Sequence, residues 1–304
     1  TTLFRSPIVT RQIDFVMVMR NYLNLTKPTI SLLVMISALP AYVIPMTNLP
    51  SLDQTLVLLL GVFLMSSSSA VFNQILEWQT DGQMARTRGR VLPMKVVSRK
   101  QASFFGVLLG LIGFFLLYWQ ASQLTAIIGL IGHLYYVIFY TVILKKRTVQ
   151  NIVIGGAAGA VGPLMGAATA GNVFTFEAWL LFTLIFLWTP PHFWSLSLKY
   201  QDDYAVAGIP MYPIVHGEDR TRRVIFLYCL FLIPVALLIV TTKLWIASIT
   251  TVTLTGYFVY LGWELYQKKD HLSAMKLFRF SCLYALLIFV VLTLEKLFVL
   301  WQIT

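Results

Sequence analysis

Charged residues are scarce in this chain, and their scarcity excludes an ordinary soluble protein. Only 12% of the 304 residues are charged, 58% are hydrophobic, and the mean hydropathy is +0.77. A typical soluble domain carries about 25% charged residues. Cysteine is also rare, with two residues, Cys229 and Cys282, that both fall in apolar runs. The sequence therefore predicts neither a disulfide framework nor a metal site built on cysteine.

The hydrophobic residues are gathered in nine runs of about 20 residues, the length that crosses the hydrocarbon core of a bilayer. Backbone groups in lipid must be satisfied within their own segment, and the alternating pattern of a membrane barrel is absent, so the runs are predicted to be helices. The predicted fold class is an all-α integral membrane protein with nine transmembrane helices. The runs lie at residues 29–47, 53–76, 102–119, 122–144, 152–171, 175–198, 224–242, 244–265 and 277–301.

Basic residues are divided unequally between the two sides of the membrane. Of the 23 lysines and arginines, 21 fall in the N-terminal arm and the loops on its side, and only Lys243 and Lys296 fall on the other. The positive-inside rule then predicts a cytoplasmic N-terminus and an outside C-terminus. Topology accounts for the net charge of +11, so the predicted partner is the bilayer and not nucleic acid. Residues 1–27 are predicted to be a cytoplasmic arm without a cleavable signal peptide, and residues 28–304 a single polytopic domain.

The most informative motif lies at the end of the second run. Asn73, Glu77 and Asp81 are spaced i, i+4, i+8, which places three oxygen-bearing side chains on one helix face over roughly 12 Å. Polar groups inside a span are costly and usually functional, which favours a site over a solvated helix end. Carboxylate and amide oxygens suit Mg²⁺, whose remaining ligands commonly include oxygens of a substrate phosphate. Three arginines, the residues that best grip phosphate, follow at once: Arg86, Arg88 and Arg90. Together they predict chemistry on a diphosphate at the cytoplasmic face.

Two further polar groups fall on the same predicted face of the membrane. Helical spacing places four side chains on one stripe: His192, Ser195, Lys199 and Asp203. Taken alone, that stripe could equally be an interfacial helix end. The other group is a basic helix end with a tyrosine one turn inside: Tyr140, Lys145 and Lys146. A basic helix end ordinarily indicates only which side of the membrane it lies on, but the tyrosine favours diphosphate binding. We predict that both groups face the acidic motif across one site.

These residues together resemble the UbiA-type intramembrane prenyltransferases, and in particular the branch that farnesylates haem. The resemblance runs through nearly the whole chain and rests on residues 25–28, 73–90, 140–145 and 191–211. Position 77 is Glu where the superfamily usually has Asp. His192 and Lys199 stand where the superfamily has acidic residues, so a full second Mg²⁺ site built of carboxylates is not expected.

The resemblance implies transfer of a farnesyl group from farnesyl diphosphate to a vinyl group of haem b, with addition of water. It implies that Asn73, Glu77 and Asp81 hold Mg²⁺, and that Lys199 and Asp203 also take part in catalysis. The residues implied at the diphosphate are Arg86, Arg88, Arg90, Tyr140, Lys145 and Lys146, of which Arg88 and Lys145 neutralise the leaving group. The residues implied at the haem are His192, Trp194, Tyr200 and Asp202.

The resemblance also implies a place in the cell. We expect the bacterial inner membrane rather than the mitochondrial inner membrane. A downstream haem-processing enzyme or oxidase assembly factors are the expected partners.

Two other functions remain open. A prenyltransferase for a quinone precursor such as 4-hydroxybenzoate would share the first motif, but its second motif should be more acidic. A membrane transporter would place charges near the midplane and break its helices there. In this chain the charged motifs cluster at one face, which disfavours a transporter.

Overall fold

The protein is a bundle of helices. The computed structural model describes residues 7–303, so residues 1–6 of the predicted arm, and Thr304, lie outside the described residues. The helices are α1 (Pro7–Leu25), α2 (Pro28–Val43), α3 (Leu52–Gln83), α4 (Arg99–Gln120), α5 (Gln123–Leu134), α6 (Asn151–Gly159), α7 (Val161–Thr169), α8 (Phe176–Lys199), α9 (Gln201–Val206), α10 (Tyr212–His216), α11 (Glu218–Leu238), α12 (Trp245–Lys268) and α13 (His271–Ile303). The described residues contain no strand, which confirms the all-α prediction.

The helices are long and apolar enough for a protein that crosses the membrane many times. Within residues 7–303, seven segments have the length and composition of a span, or eight if α1 and α2, bent by 56° at their junction, count as one. The predicted sixth run corresponds to α8, which has 24 residues but carries Pro190, Pro191 and His192 in its C-terminal half. The helix α8 is not among the seven segments, so the ninth predicted span depends on this helix.

Helix contacts close the bundle into a ring. From α2 to α5 each helix packs on the next, α6 and α7 connect α5 to α8, and α11, α12 and α13 lead back to α2. The glycine-rich fifth run allows the closest approach in this ring. A Cβ atom on Gly162 or Gly166 would overlap Ser37 or the carbonyl of Ala38, so α7 packs directly on the backbone of α2.

Three local features bring side chains to one end of the bundle. The 32 residues of α3 extend for about 48 Å, well beyond the roughly 30 Å of the hydrocarbon core. Between α1 and α2, Lys27 adopts a left-handed conformation with φ 47°, and Pro28 then begins α2. Finally, α5 continues without a break as a π-helix over Tyr135–Leu144. The wider π turn keeps Thr141 and Lys145 on the side of this helix that contacts α3.

Candidate active site

The three predicted metal ligands lie on one face of α3 near its C-terminal end. Their exposed fractions are 1% for Asn73, 6% for Glu77 and 1% for Asp81. A carboxylate buried to this degree is stable in the ionised form only if it is paired or holds a metal. The surroundings of these oxygens therefore determine what the site can bind.

Each buried carboxylate is paired with a cation from another part of the chain. Lys145 Nζ, at the end of the π-helix, lies 2.5 Å from Glu77 Oε1. Arg90, in the loop after α3, donates from Nη1 to Asp81 Oδ2 at 2.7 Å. Burial disfavours the ammonium form of Lys145, but attraction to Glu77 outweighs it and raises the pKa of Lys145. Lys145 is therefore charged at neutral pH.

A third cation reaches the amide of the motif. Lys27 Nζ donates to Asn73 Oδ1 at 2.6 Å, while Asn73 Nδ2 donates to Thr141 Oγ1 at 3.1 Å. From the sequence, Lys27 contributes only to the predicted topology and to the resemblance, and neither Lys27 nor Thr141 is predicted at the site. The one feature of the sequence that could have predicted Lys27 at the site is its position next to Pro28, just before an apolar run. Three basic side chains thus meet two carboxylates, a set of hydrogen-bond donors that suits an anionic ligand.

The other residues predicted at the diphosphate differ in position. Tyr140 is buried beside Lys145, whose ammonium lies 5.9 Å from its ring centroid, and it stacks on Tyr136 at 5.4 Å. Arg88 and Lys146 are exposed at the same end of the bundle. The structure therefore joins Tyr140, Lys145 and Arg90 to the acidic motif and leaves the two exposed cations on its rim.

The polar face of α3 continues deeper into the bundle. Ser69, two turns before Glu77, bonds through Oγ to His133 Nδ1 of α5 at 2.8 Å. The ring of His133 also meets Phe72 edge-on at 5.9 Å. His133 is thus part of the contact between α3 and α5.

The loop after α8, which contains the short helix α9, reaches the loop after α3. The Asp203 carboxylate accepts the backbone N–H of Ala85 at 3.1 Å and that of Arg86 at 3.0 Å. The Arg86 guanidinium donates to Tyr204 Oη at 3.2 Å and lies 5.8 Å from the ring centroids of Tyr200 and Tyr204. Asp203, expected among the catalytic groups, and Arg86, expected at the diphosphate, therefore bind the two loops together.

The predicted single stripe from His192 to Asp203 is wrong. The helix α8 ends at Lys199, and Tyr200, with φ −111° and ψ 27°, interrupts the helical conformation before α9 begins. Asp203 therefore belongs to another helix. Lys199 and Asp202 are exposed, and the Lys199 ammonium lies 5.5 Å from the Tyr200 ring centroid.

Two residues predicted at the haem lie in different surroundings. His192 Nδ1 bonds to Ser281 Oγ of α13 at 2.6 Å, and its ring stacks on Trp188 at 4.4 Å. Trp194 is 1% exposed and packs against Tyr212 at 4.8 Å, inside the core. Trp194 therefore lies in the core, whereas His192 lies at the α8–α13 interface.

The oxygen ligands of the acidic motif fit Mg²⁺ better than a metal that takes all of its ligands from protein side chains. Among residues 15–303, whose side chains the structure describes, no three histidine, cysteine, aspartate or glutamate side chains converge on one point. Two carboxylates and the Asn73 amide oxygen are few for a closed site. They are enough for Mg²⁺, which usually takes its remaining ligands from water and substrate phosphates.

Comparison with known proteins identifies the family. Residues 34–292 match the UbiA prenyltransferase family. A protoheme IX farnesyltransferase of Leptospira biflexa is 37% identical over 276 residues, which cover 90% of this chain and 97% of the relative. One from Shewanella denitrificans is 36% identical over 290 residues, which cover 95% and 96%. This chain therefore belongs to the UbiA prenyltransferase family.

Solved structures share the fold at low sequence identity. A UbiA homolog from Archaeoglobus fulgidus bound to GPP and Mg²⁺ has a TM-score of 0.67 and 13% identity, and the match covers 90% of this chain and 99% of the homolog. The apo structure of a UbiA homolog from Aeropyrum pernix K1 has a TM-score of 0.69 and 14% identity, with 91% and 98% covered.

The Glu77–Lys145 pair should behave as a buried ion pair. We expect Lys145→Met to lower the free energy of unfolding by about 3 kcal/mol, because an unpaired buried carboxylate is left behind. Adding Glu77→Gln to Lys145→Met should restore most of that loss. Unfolding by denaturant in detergent micelles measures both effects, with the exposed neighbour Lys146→Met as control. If the double variant is no more stable than Lys145→Met, the two side chains are not coupled.

Proposed function

We propose that this protein transfers the farnesyl group of farnesyl diphosphate to a vinyl group of haem b, with addition of water, to form a hydroxyethylfarnesyl haem. The observation that carries the proposal is the buried pairing of Glu77 with Lys145 and of Asp81 with Arg90 at one end of the bundle. The curated relatives named protoheme IX farnesyltransferase favour haem as the acceptor.

The three partly buried basic side chains bind and orient the diphosphate. Lys27, Arg90 and Lys145 come from three separate segments. They converge on one stretch of α3, which is about 12 Å long at a rise of about 1.5 Å per residue. Each can exchange its present oxygen partner for a phosphate oxygen, and arginine does so with two parallel hydrogen bonds. The same positive charge stabilises the diphosphate as the bond between its oxygen and farnesyl C1 breaks.

We propose that Asn73, Glu77 and Asp81 hold Mg²⁺. When bound, the ion neutralises the diphosphate and helps it to leave. The protein's own contribution is to keep these three oxygens on one rigid helix face and away from bulk water, which strengthens their attraction for a cation.

The carbon chemistry needs a dry, aromatic site beside the diphosphate. The stacked rings of Tyr136 and Tyr140 adjoin Lys145 and can stabilise positive charge that develops at farnesyl C1. A vinyl carbon of haem attacks C1, and the C1–O electron pair leaves with the diphosphate. Water then adds to the new cation next to the porphyrin and loses a proton. Exclusion of water before this step prevents simple hydrolysis of the farnesyl cation.

The histidine of the α8–α13 interface is the proposed contact to haem. Because Ser281 bonds to Nδ1 of His192, the ring is fixed in orientation and only Nε2 can meet a ligand. An imidazole nitrogen can ligate iron or bond a porphyrin propionate. Tyr200, Asp202 and Lys199, which follow at the end of α8, remain proposed neighbours of the haem.

The acceptor can be tested directly. The purified protein, given farnesyl diphosphate and Mg²⁺, should consume haem b and yield a product heavier by a farnesyl group and a hydroxyl group. It should not prenylate 4-hydroxybenzoate, because an ammonium and an imidazole stand where a quinone-type relative should have acids. His192→Ala should weaken haem use more than farnesyl diphosphate binding. Product masses with each acceptor, and titration of both substrates, measure these effects.

The outcomes separate the two prenyltransferase functions. Turnover of 4-hydroxybenzoate without haem turnover would assign the chain to the quinone-precursor enzymes. An unchanged haem affinity in His192→Ala would leave the reaction assignment intact and remove the role given to His192.

The metal assignment predicts a loss of turnover without a loss of fold. Asp81→Asn and Glu77→Gln should each lower kcat by at least about 10³-fold, since the charge that holds the metal is lost. Asp53→Asn, an exposed aspartate at the other end of α3, is the matched control and should keep full activity. Initial rates with and without a chelator measure the effect. Near-normal rates in either site variant, together with indifference to the chelator, would contradict the metal site.

We also propose nine spans in one domain, with the active site at the cytoplasmic face. The 24 residues of α8 reach about 36 Å, enough to cross the core despite their mixed composition. Counting α1 and α2 as one bent span and adding α8 to the other seven gives nine. The separation of 21 basic residues from Lys243 and Lys296 supports this orientation. Contact between α2 and α13 supports treating residues 28–304 as one unit.

Reporter fusions test the topology. A reporter attached after Thr304 should be active only outside the cytoplasm, and one inserted near Gly217 only inside, because an odd number of spans separates the ends. Two reporters on the same side would refute the nine-span arrangement, whatever the activity of the enzyme.

The proposed place of action is the bacterial inner membrane. The relatives described above are bacterial, and the many apolar helices require a bilayer. The hydrophobic product would remain in that bilayer, where a haem-processing enzyme or an oxidase assembly factor is the proposed recipient.

A further inference from the structure

The contact between the loop after α3 and the loop after α8 is formed by one compact set of groups. We call it the loop latch: Asp203, Tyr204 and Tyr200 on one side, and Ala85 and Arg86 on the other. It consists of three hydrogen bonds of 3.0 to 3.2 Å and two cation–π contacts of 5.8 Å. Both oxygens of the Asp203 carboxylate are used in the latch, each by one backbone N–H.

The latch is connected to the acidic motif through a short segment of chain. Thr87, the residue after Arg86, donates from Oγ1 to the backbone carbonyl of Asp81 at 2.8 Å. Three residues further on, Arg90 holds the carboxylate of Asp81 at 2.7 Å. Asp203 therefore fixes the beginning of the segment whose later residues position Asp81 and its cation.

We infer that Asp203 is a positioning residue of the proposed reaction, which holds the Arg90 segment against Asp81, and is neither a metal ligand nor a catalytic residue. This inference rests on the proposed function for its effect on turnover. The existence of the latch is a property of the ligand-free protein and does not depend on that function. Arg86 has the same positioning role on the loop after α3, because Tyr204 and Tyr200 hold its guanidinium.

Hydrogen exchange of the free protein separates a latch from a metal ligand. Without Mg²⁺ or substrates, Asp203→Asn should speed exchange in residues 84–90 by about tenfold, because the amide keeps only one acceptor oxygen for two N–H groups. Tyr204→Phe, which cannot affect a metal ligand, should speed the same segment to a smaller extent. Asp53→Asn should leave it unchanged. Unaltered exchange in Asp203→Asn overturns the latch.

Kinetics then test the positioning role. At saturating Mg²⁺, Asp203→Asn should raise KM for farnesyl diphosphate by about tenfold and change kcat by less than about threefold, because binding geometry is loosened while the reacting groups remain. The Mg²⁺ concentration for half-maximal rate should stay as in the unmodified protein. A raised Mg²⁺ requirement with normal exchange would make Asp203 a metal ligand and overturn the inference.

A failure of the proposed function gives a different result. If the unmodified protein shows no turnover of farnesyl diphosphate with haem b, the reaction assignment fails. Exchange in residues 84–90 still decides whether Asp203 holds the two loops together.

Discussion

The structure of the site depends on two carboxylates that are buried and nevertheless charged. Glu77 and Asp81 are 6% and 1% exposed, and such groups are tolerated only when a partner compensates the loss of water. Lys145 and Arg90 supply that compensation from the π-helix and from the loop after α3. Each pair ties a separate segment to α3. The two ion pairs thus hold the π-helix and the loop after α3 against the acidic motif.

The π-helix is the local feature that makes this pairing possible. The deeper contact of α5 with α3 runs through His133 and Ser69, and the shallower one through Lys145 and Glu77. In an ordinary α-helix each residue turns by about 100°. Two residues 12 positions apart, such as His133 and Lys145, would therefore point about 120° away from each other. The wider π turns remove part of that rotation and keep both contacts on the side of α3. An irregular backbone at a functional site is common for this reason.

Much of the fold and the acidic motif could be predicted from sequence because each rests on simple periodicity. Apolar runs marked the helices, and a spacing of four residues placed Asn73, Glu77 and Asp81 on one face. The partners of these residues were harder to predict. Lys27 lies 46 residues from Asn73 in sequence, and its left-handed backbone depends on the packing of two bent helices. The stripe through His192 failed because the break at Tyr200 leaves no mark in a helical pattern.

The division of labour between the two loops follows from where charge is needed. Asp81 needs a full positive charge nearby, and Arg90 supplies it. Asp203 lies beyond that pair and neutralises no cation; its oxygens satisfy two backbone N–H groups instead. The same residue type therefore pairs with a cation at position 81 and holds loop backbone at position 203.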